Sequence, residues 1–467
     1  MYFLHFVNPS KVLKNAPVLG EIPSEKEILQ RTLRIAWPSI VESFLVSLVG
    51  MIDTIMVSSL GSYAIAAVGL TTQPKFIGLA IFISLNVAVS AIVARRKGER
   101  EQESANRVLT QSIIITLALT IVISILCVVF ADPIIRLSGS AEDTHEPARN
   151  YFMIIMGGMV FNTLSMVINA AQRGAGNTKI AMRTNLVSNG VNMVFNYLLI
   201  GGNLGFPRLG IEGAAIATVI GTVVACIMSI RSLFHADRFL SVWHMRKKIR
   251  FDRQTMGAIA NIGSSTLAEQ IFLRIGFLTY AILVANLGTT AFAAHQIGMN
   301  MMSISFSFGD GLSVAAVTLV GQSLGEKRQD MAKIYGSVCQ RMGLVFAGIL
   351  CLIFVFGGRW IFSWFSTETP ILDYGQMIMS ILSVVIFLQI SQVIYSGCLR
   401  GAGDTRYTAL VSLISVALIR PGAGWLFCYP LALGLFGAWI GLAFDQLMRF
   451  ILTRIRFQQG KWTTLKI

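Results

Sequence analysis

Long apolar stretches alternate with short polar connections along most of this chain, and that alternation predicts a series of helices that cross a bilayer. Residues 109–130, 214–230, 344–356 and 407–419 are strongly apolar. The first alone is long enough for a hydrocarbon core of roughly 30 Å, which about 20 helical residues span. Runs of this kind number about twelve.

Displacing the sequence along itself by 227 positions, which carries residue 42 onto residue 269, brings many residues into register. Leu60-Gly61 then falls on Leu287-Gly288, Gly98-Glu99-Arg100 on Gly325-Glu326-Lys327, and Arg173-Gly174-Ala175-Gly176 on Arg400-Gly401-Ala402-Gly403. Two homologous halves follow. An even number of spans in each returns the chain to its starting side, so the repeats share one orientation and flank a cleft suited to alternating access. The expected fold class is an all-α polytopic membrane protein, with twelve transmembrane helices in two six-helix lobes related by an internal repeat. Its expected organisation is a cytoplasmic N-terminal arm (1–24), an N-lobe of helices 1–6 (25–240), a basic cytoplasmic linker (241–255), a C-lobe of helices 7–12 (256–455) and a cytoplasmic tail (456–467).

Composition agrees with lipid as the main solvent: 54% of the residues are apolar and 13% charged, too little polar surface to cover a soluble globule. The net charge of +15 raises nucleic acid as a partner until the cations are placed. Lys11, Lys14, Lys26, Arg31 and Arg34 precede the first span; Arg95, Arg96, Lys97, Arg100 and Arg107 follow the second; Arg173, Lys179 and Arg183 follow the fourth. Arg246, Lys247, Lys248 and Arg250 fill the central connection, and Arg400, Arg406, Arg449, Arg454, Arg456, Lys461 and Lys466 belong to later basic segments. Alternate loops are thus basic, which puts both termini in the cytoplasm by the positive-inside rule and removes the need for a nucleic-acid partner. The six cysteines lack metal or dithiol spacing and read as packing residues. Phosphate-loop, zinc-protease and acidic metal-cluster motifs are absent, so neither enzymatic chemistry nor a cofactor is expected, and an ion gradient is the expected energy source. A monomer is expected.

Polar residues found in one half only are the better functional candidates, because the repeat reveals what the common fold requires. Asp53 lies within the first span, while its repeat partner is Tyr280. An ionisable group there is costly and marks an ion or proton path, although pairing with a single basic residue would also explain it. The fifth span carries Asn185, Asn189, Asn192 and Asn196 along one helical face, where the second half has Ser412, Val416, Ile419 and Ala423. Interhelical hydrogen bonding explains part of such a stripe, and a hydrated pocket explains its absence from the sister half. Thr218, in the sixth span, falls on Leu442 under a locally adjusted register that sets Gly210-Ile-Glu-Gly213 on Gly434-Leu-Phe-Gly437. Asp53, Asn189, Asn192, Asn196 and Thr218 are therefore the expected coupling site, where the oxygens can hold a cation such as Na+, or the carboxylate a proton. Gln73, Glu269, Arg274, Tyr280, Gln296, Asn300, Gln389 and Tyr395 are expected to line the substrate cleft; Met299, Met301 and Met302 offer an adaptable apolar surface there, with core packing the leading reading for them. Glu269 and Arg274, five residues apart, leave direct pairing open.

Met51-Ile-Asp53-Thr54, Arg173-Gly-Ala-Gly-Asn-Thr178 with its copy Arg400-Gly-Ala-Gly-Asp-Thr405, Gly213-Ala-Ala-Ile-Ala-Thr218 and Ala294-His295-Gln296-Ile297 together resemble the multidrug and toxic compound extrusion (MATE) family. The resemblance covers residues 28–455. It implies two six-helix lobes and antiport of small organic compounds, cationic ones foremost, against H+ or Na+ in the cytoplasmic membrane. It also places Asp53 at the family's first-span coupling aspartate, with Asn192 and Thr218 as its partners. Asn196 stands where many members keep a second aspartate, and Gln389 replaces the tenth-span aspartate that accompanies a counterpart of Glu269. Both departures tilt the expectation from sodium toward protons. The rival reading is a lipid-linked oligosaccharide flippase, which calls for a more cationic cleft than Lys75, Arg274 and Arg420 supply. A membrane-embedded enzyme or a channel is a further, weaker alternative.

Overall fold

The computed structural model describes residues 12–13, 17–235, 238–245, 252–365 and 368–465. Lys11, Lys14, Arg246, Lys247, Lys248, Arg250 and Lys466 lie outside these residues, as do parts of the expected arm, linker and tail. The main helices are α1 (Glu25–Ser58), α2 (Ser62–Gly98), α3 (Gln102–Val129), α4 (Glu142–Gly157), α5 (Met159–Gly174), α6 (Thr178–Gly201) and α7 (Gly210–Arg231) in the first half. The second half holds α8 (Arg253–Ala285), α9 (Thr289–Gly325), α10 (Gln329–Ser363), α11 (Thr369–Gly401), α12 (Thr405–Cys428) and α13 (Gly434–Gln459).

Among the described residues ten helices are long and apolar enough to cross a membrane, or eleven if α4 and α5, bent by 46° relative to each other, form one broken span. The remaining expected span is α6. Its 24 residues reach roughly 36 Å at 1.5 Å per residue, so length suffices, and the asparagine stripe is what lowers its apolarity. Its counterpart α12 differs in its backbone, with a π-helical segment at Leu413–Ile419.

Backbone conformation repeats with the sequence. Gly61 and Gly288, which precede α2 and α9, have φ of +111° and +106°, and Arg100 and Lys327, 227 positions apart, have φ of +60° and +59°. Helix contacts repeat too. A Cβ on Gly174 would collide with the backbone carbonyl of Ser90, and one on Gly401 with that of Val317. Both pairs are separated by the repeat offset, so each half uses glycine to bring the same two helices together.

The packing units do not divide the chain at the central linker. One comprises Phe44–Gly263, and the other comprises the described residues up to Ser43 together with those from Ser264 onward. The divisions fall inside α1 and α8, so the first part of α1 packs with the second half of the sequence: a Cβ on Gly311 would strike the backbone of Ile40, and the Ser43 hydroxyl donates to Asp310.

Large apolar side chains face outward, among them Ile121, Val122, Ile125 and Leu126 on α3 and Leu352, Val355 and Phe356 on α10. Such continuous apolar bands are what lipid, rather than water, solvates. Polar side chains turn inward instead. The Thr120 and Thr163 hydroxyls are 2.8 Å apart, those of Ser165 and Ser229 3.0 Å, and Ser188 donates to the Gly221 carbonyl at 2.7 Å. Helices in lipid gain little from apolar association, so close packing and hydrogen bonds of this type carry more of the specificity.

Candidate functional site

In the unit Phe44–Gly263, helices α1, α6 and α7 bring four of the five expected coupling residues together. Glycines allow the approach of α6 and α7: a Cβ on Gly213 would meet the Leu199 carbonyl, and one on Gly221 the carbonyl of Ser188. The close crossing sets Asn192 beside Thr218. From α6, Asn196 donates its Nδ2 to Asp53 Oδ1 at 2.8 Å. The Asn192 amide fits two ways. With its Nδ2 toward Asp53 it donates at 3.0 and 3.2 Å to the two carboxylate oxygens, while its Oδ1 accepts from the Thr218 backbone and hydroxyl at 3.1 and 3.2 Å. This orientation faces donors to acceptors and is the one compatible with an ionised carboxylate. Asn189 is half-buried and makes none of the cluster's hydrogen bonds.

The cluster opens on a cavity of about 320 Å³ whose wall includes Gly50, Asp53, Lys75, Tyr151, Asn196 and Thr218. Lys75 was absent from the expected coupling set. The signal that selects Asp53 selects it as well, because its repeat partner is the apolar Met302. In the other unit the partners of the cavity's acid and base are packed. Tyr280 and Met302, the counterparts of Asp53 and Lys75, are both buried, and Tyr280 donates its hydroxyl at 2.7 Å to the carbonyl of Ala438. The His295 ring lies 5.5 Å from those of Tyr280 and Trp439.

The expected cleft residues divide sharply. Gln73, Gln296 and Asn300 are exposed on their units. Tyr280 and Gln389 are core residues instead of cleft residues. Gln389 ties α9 to α11, accepting from Ser305 Oγ at 2.6 Å and donating to the Met302 carbonyl at 3.3 Å, because a buried amide must be satisfied inside its own bundle. Met301 and Met302 are also interior, and Tyr395 packs against Phe450 and Phe457. Glu269 does not depend on Arg274: Arg400 pairs with it, and Thr408 donates to it at 3.0 Å.

Two arginines expected in basic loops, Arg400 and Arg449, also turn inward. Asp445 accepts from Arg420 Nε at 3.0 Å and Nη2 at 2.6 Å, with Arg449 Nε 3.4 Å away. The Arg420 guanidinium stacks 4.8 Å from the Phe277 ring. This network is not legible in the sequence, because Asp445 and Arg449 lie near the basic final segment, where a helix and a basic tail look alike.

The sequence pattern of the MatE family matches residues 38–198 and 266–426, two segments that begin 228 positions apart, within one residue of the repeat offset. The chain belongs to the MatE family. It is accordingly a multi-pass membrane transporter of that family. This MatE chain is 26% identical over 456 residues to a probable multidrug resistance protein NorM of Thermotoga maritima, covering 97% of the chain and 96% of that relative. It is 25% identical to an uncharacterized transporter YisQ of Bacillus subtilis, covering 92% and 94%. Its fold matches a crystal structure of MATE in complex with MaD3S, with a TM-score of 0.86, 23% identity and coverage of 93% and 97%. It matches equally an outward-facing multidrug resistance MATE transporter, at TM-score 0.86 and 22% identity, covering 95% and 100%.

Proposed function

We propose that this MatE protein is a secondary active exporter of small organic compounds, cationic ones foremost, and that it moves them by alternating access against a cation bound at Asp53. The observation that carries the reading is the Asp53–Asn192–Asn196–Thr218 cluster at the wall of a cavity whose acid and base, Asp53 and Lys75, are replaced in the other half of the repeat by the buried Tyr280 and Met302. The multidrug resistance named for several relatives supports the substrate class.

The chemistry follows from the donor set. An ionised Asp53 accepts the amide hydrogens of Asn196 and Asn192 and ties α1 to α6. Neutralising the carboxylate removes the reason for those amides to point at it, so the contact between α1 and α6 weakens. Because α1 contributes to both packing units and carries Pro38 within its length, repacking at Asp53 acts on one continuous helix that a proline can bend. Ion binding drives transport only insofar as it stabilises the inward-open and outward-open states unequally. In this reading both termini lie in the cytoplasm and the membrane is the cytoplasmic one.

The flippase alternative gains little from the buried arginines, since Arg400 and Arg420 are each held by an acid of the same unit. The test is dye efflux from proteoliposomes under an imposed proton or sodium gradient. Asp53→Asn should abolish gradient-driven export while inserting normally; unimpaired coupled export by that variant would sink the assignment.

A further inference from the structure

Resting on the reading of Asp53 as the coupling carboxylate, we infer that Lys75 selects the coupling ion: its ammonium is a tethered counter-cation that occupies sodium's electrostatic role at Asp53, leaving the proton as the ion exchanged.

Lys75 lies on α2 and lines the same cavity of about 320 Å³ as Asp53. It also borders a second cavity of about 130 Å³ beside the break between α4 and α5, where Gly158 and Asn162 form part of the wall. An ammonium inside a membrane-spanning bundle is retained only where an anion or a hydrated cavity compensates it, and among the described residues lining the larger cavity Asp53 is the sole carboxylate. One acid and one base therefore share the space, and its formal charge is already balanced. The ligand atoms point the same way. Sodium needs several oxygens around it, as hard cations do, whereas Asp53 is met by amide N–H groups from Asn196 and, in the donor-facing orientation, from Asn192. A sodium ion entering this cavity would meet a fixed positive charge, at a site whose single carboxylate is occupied by hydrogen-bond donors. A proton adds to the carboxylate itself and needs no coordination shell. Sequence difference between the repeats supports the assignment independently, because the position equivalent to Lys75 is the buried Met302.

The experiment measures 22Na+ binding to purified protein and dye efflux from proteoliposomes, for wild type, Lys75→Gln, Lys75→Arg, Asp53→Asn and the double variant. Expected for wild type and Lys75→Arg are efflux driven by a proton gradient alone and 22Na+ binding no higher than in Asp53→Asn. Lys75→Gln should gain 22Na+ binding several-fold above that background, and the gain should vanish in the double variant. Wild-type protein that binds 22Na+ in an Asp53-dependent manner overturns the inference. A monodisperse Lys75→Gln protein as indifferent to sodium as wild type overturns it too. If Lys75→Gln is not monodisperse, Lys75→Met, which keeps the apolar stem of the side chain, is read by the same criterion. Should Asp53→Asn retain full coupled export, the coupling-site reading itself fails; a dead Asp53→Asn with a sodium-blind Lys75→Gln removes the Lys75 inference alone.

Discussion

Asp445 lies between two guanidinium groups, and the consequence of removing any one of the three differs. Replacing Asp445 by Ala leaves Arg420 and Arg449 buried without their shared acid, a change of the type that costs about 3–5 kcal/mol. Arg449→Met leaves both Arg420 hydrogen bonds to Asp445 Oδ2 in place and should cost distinctly less, which thermal unfolding in detergent would resolve; equal losses would show that Asp445 is not the hub. At this scale the sequence was legible where a single side chain broke its surroundings. Asp53 and the asparagines of α6 stood out against their apolar partners in the other half. Arg449 did not, because one basic residue near a basic tail has the same appearance whether its helix turns it inward or outward. Chemical type points Tyr280, Gln389 and Tyr395 to the cleft, whereas the burial of Tyr280 and Gln389 and the packing of the half-buried Tyr395 depend on which face of each helix meets its neighbours.

The start of α8 shows how an element end is held outside the membrane. Asp252 accepts from the backbone N–H of Gln254 and Thr255, both at 3.2 Å, and from the Thr255 hydroxyl at 2.6 Å. These bonds, led by that of Thr255, hold its carboxyl below the usual value of 3.8. A carboxyl with a depressed folded pKa stabilises the fold above its unfolded value and loses that contribution as pH falls through the folded one. The cap should therefore persist at neutral pH and weaken below about pH 4. Asp252→Ala should remove about 1 kcal/mol from the first turn, accelerating amide exchange at residues 254–256 about fivefold at neutral pH; unchanged exchange would mean that the cap contributes nothing. Helix existence was readable from apolar runs, and α6 illustrates the exception: a span that lines a polar site is less apolar for that reason. The π-helical segment of α12 had no sequence signal, since it arises where the helix accommodates its neighbours.

For the whole molecule, two copies of one design have diverged at their interiors. One keeps a cavity with a single acid and a single base, and the other fills the corresponding positions with Tyr280, Met302 and the rings around His295. The even number of expected spans makes a prediction about topology. In intact cells, single cysteines introduced at residues 19 and 460 of a cysteine-free background should resist a membrane-impermeant maleimide that labels one at residue 139; labelling at 19 or 460 would reverse the proposed orientation. The sequence by itself determined the class of solvent, the repeat, the family resemblance and the asymmetric Asp53 cluster, because apolar length, offset identity and isolated polar residues are properties of the chain read in order. Tertiary structure alone decided that Lys75 shares the cavity of Asp53, that Glu269 pairs with Arg400, and that the packing units divide inside α1 and α8. Each of those depends on which helix faces meet, and residues far apart in the chain become neighbours only when the helices pack.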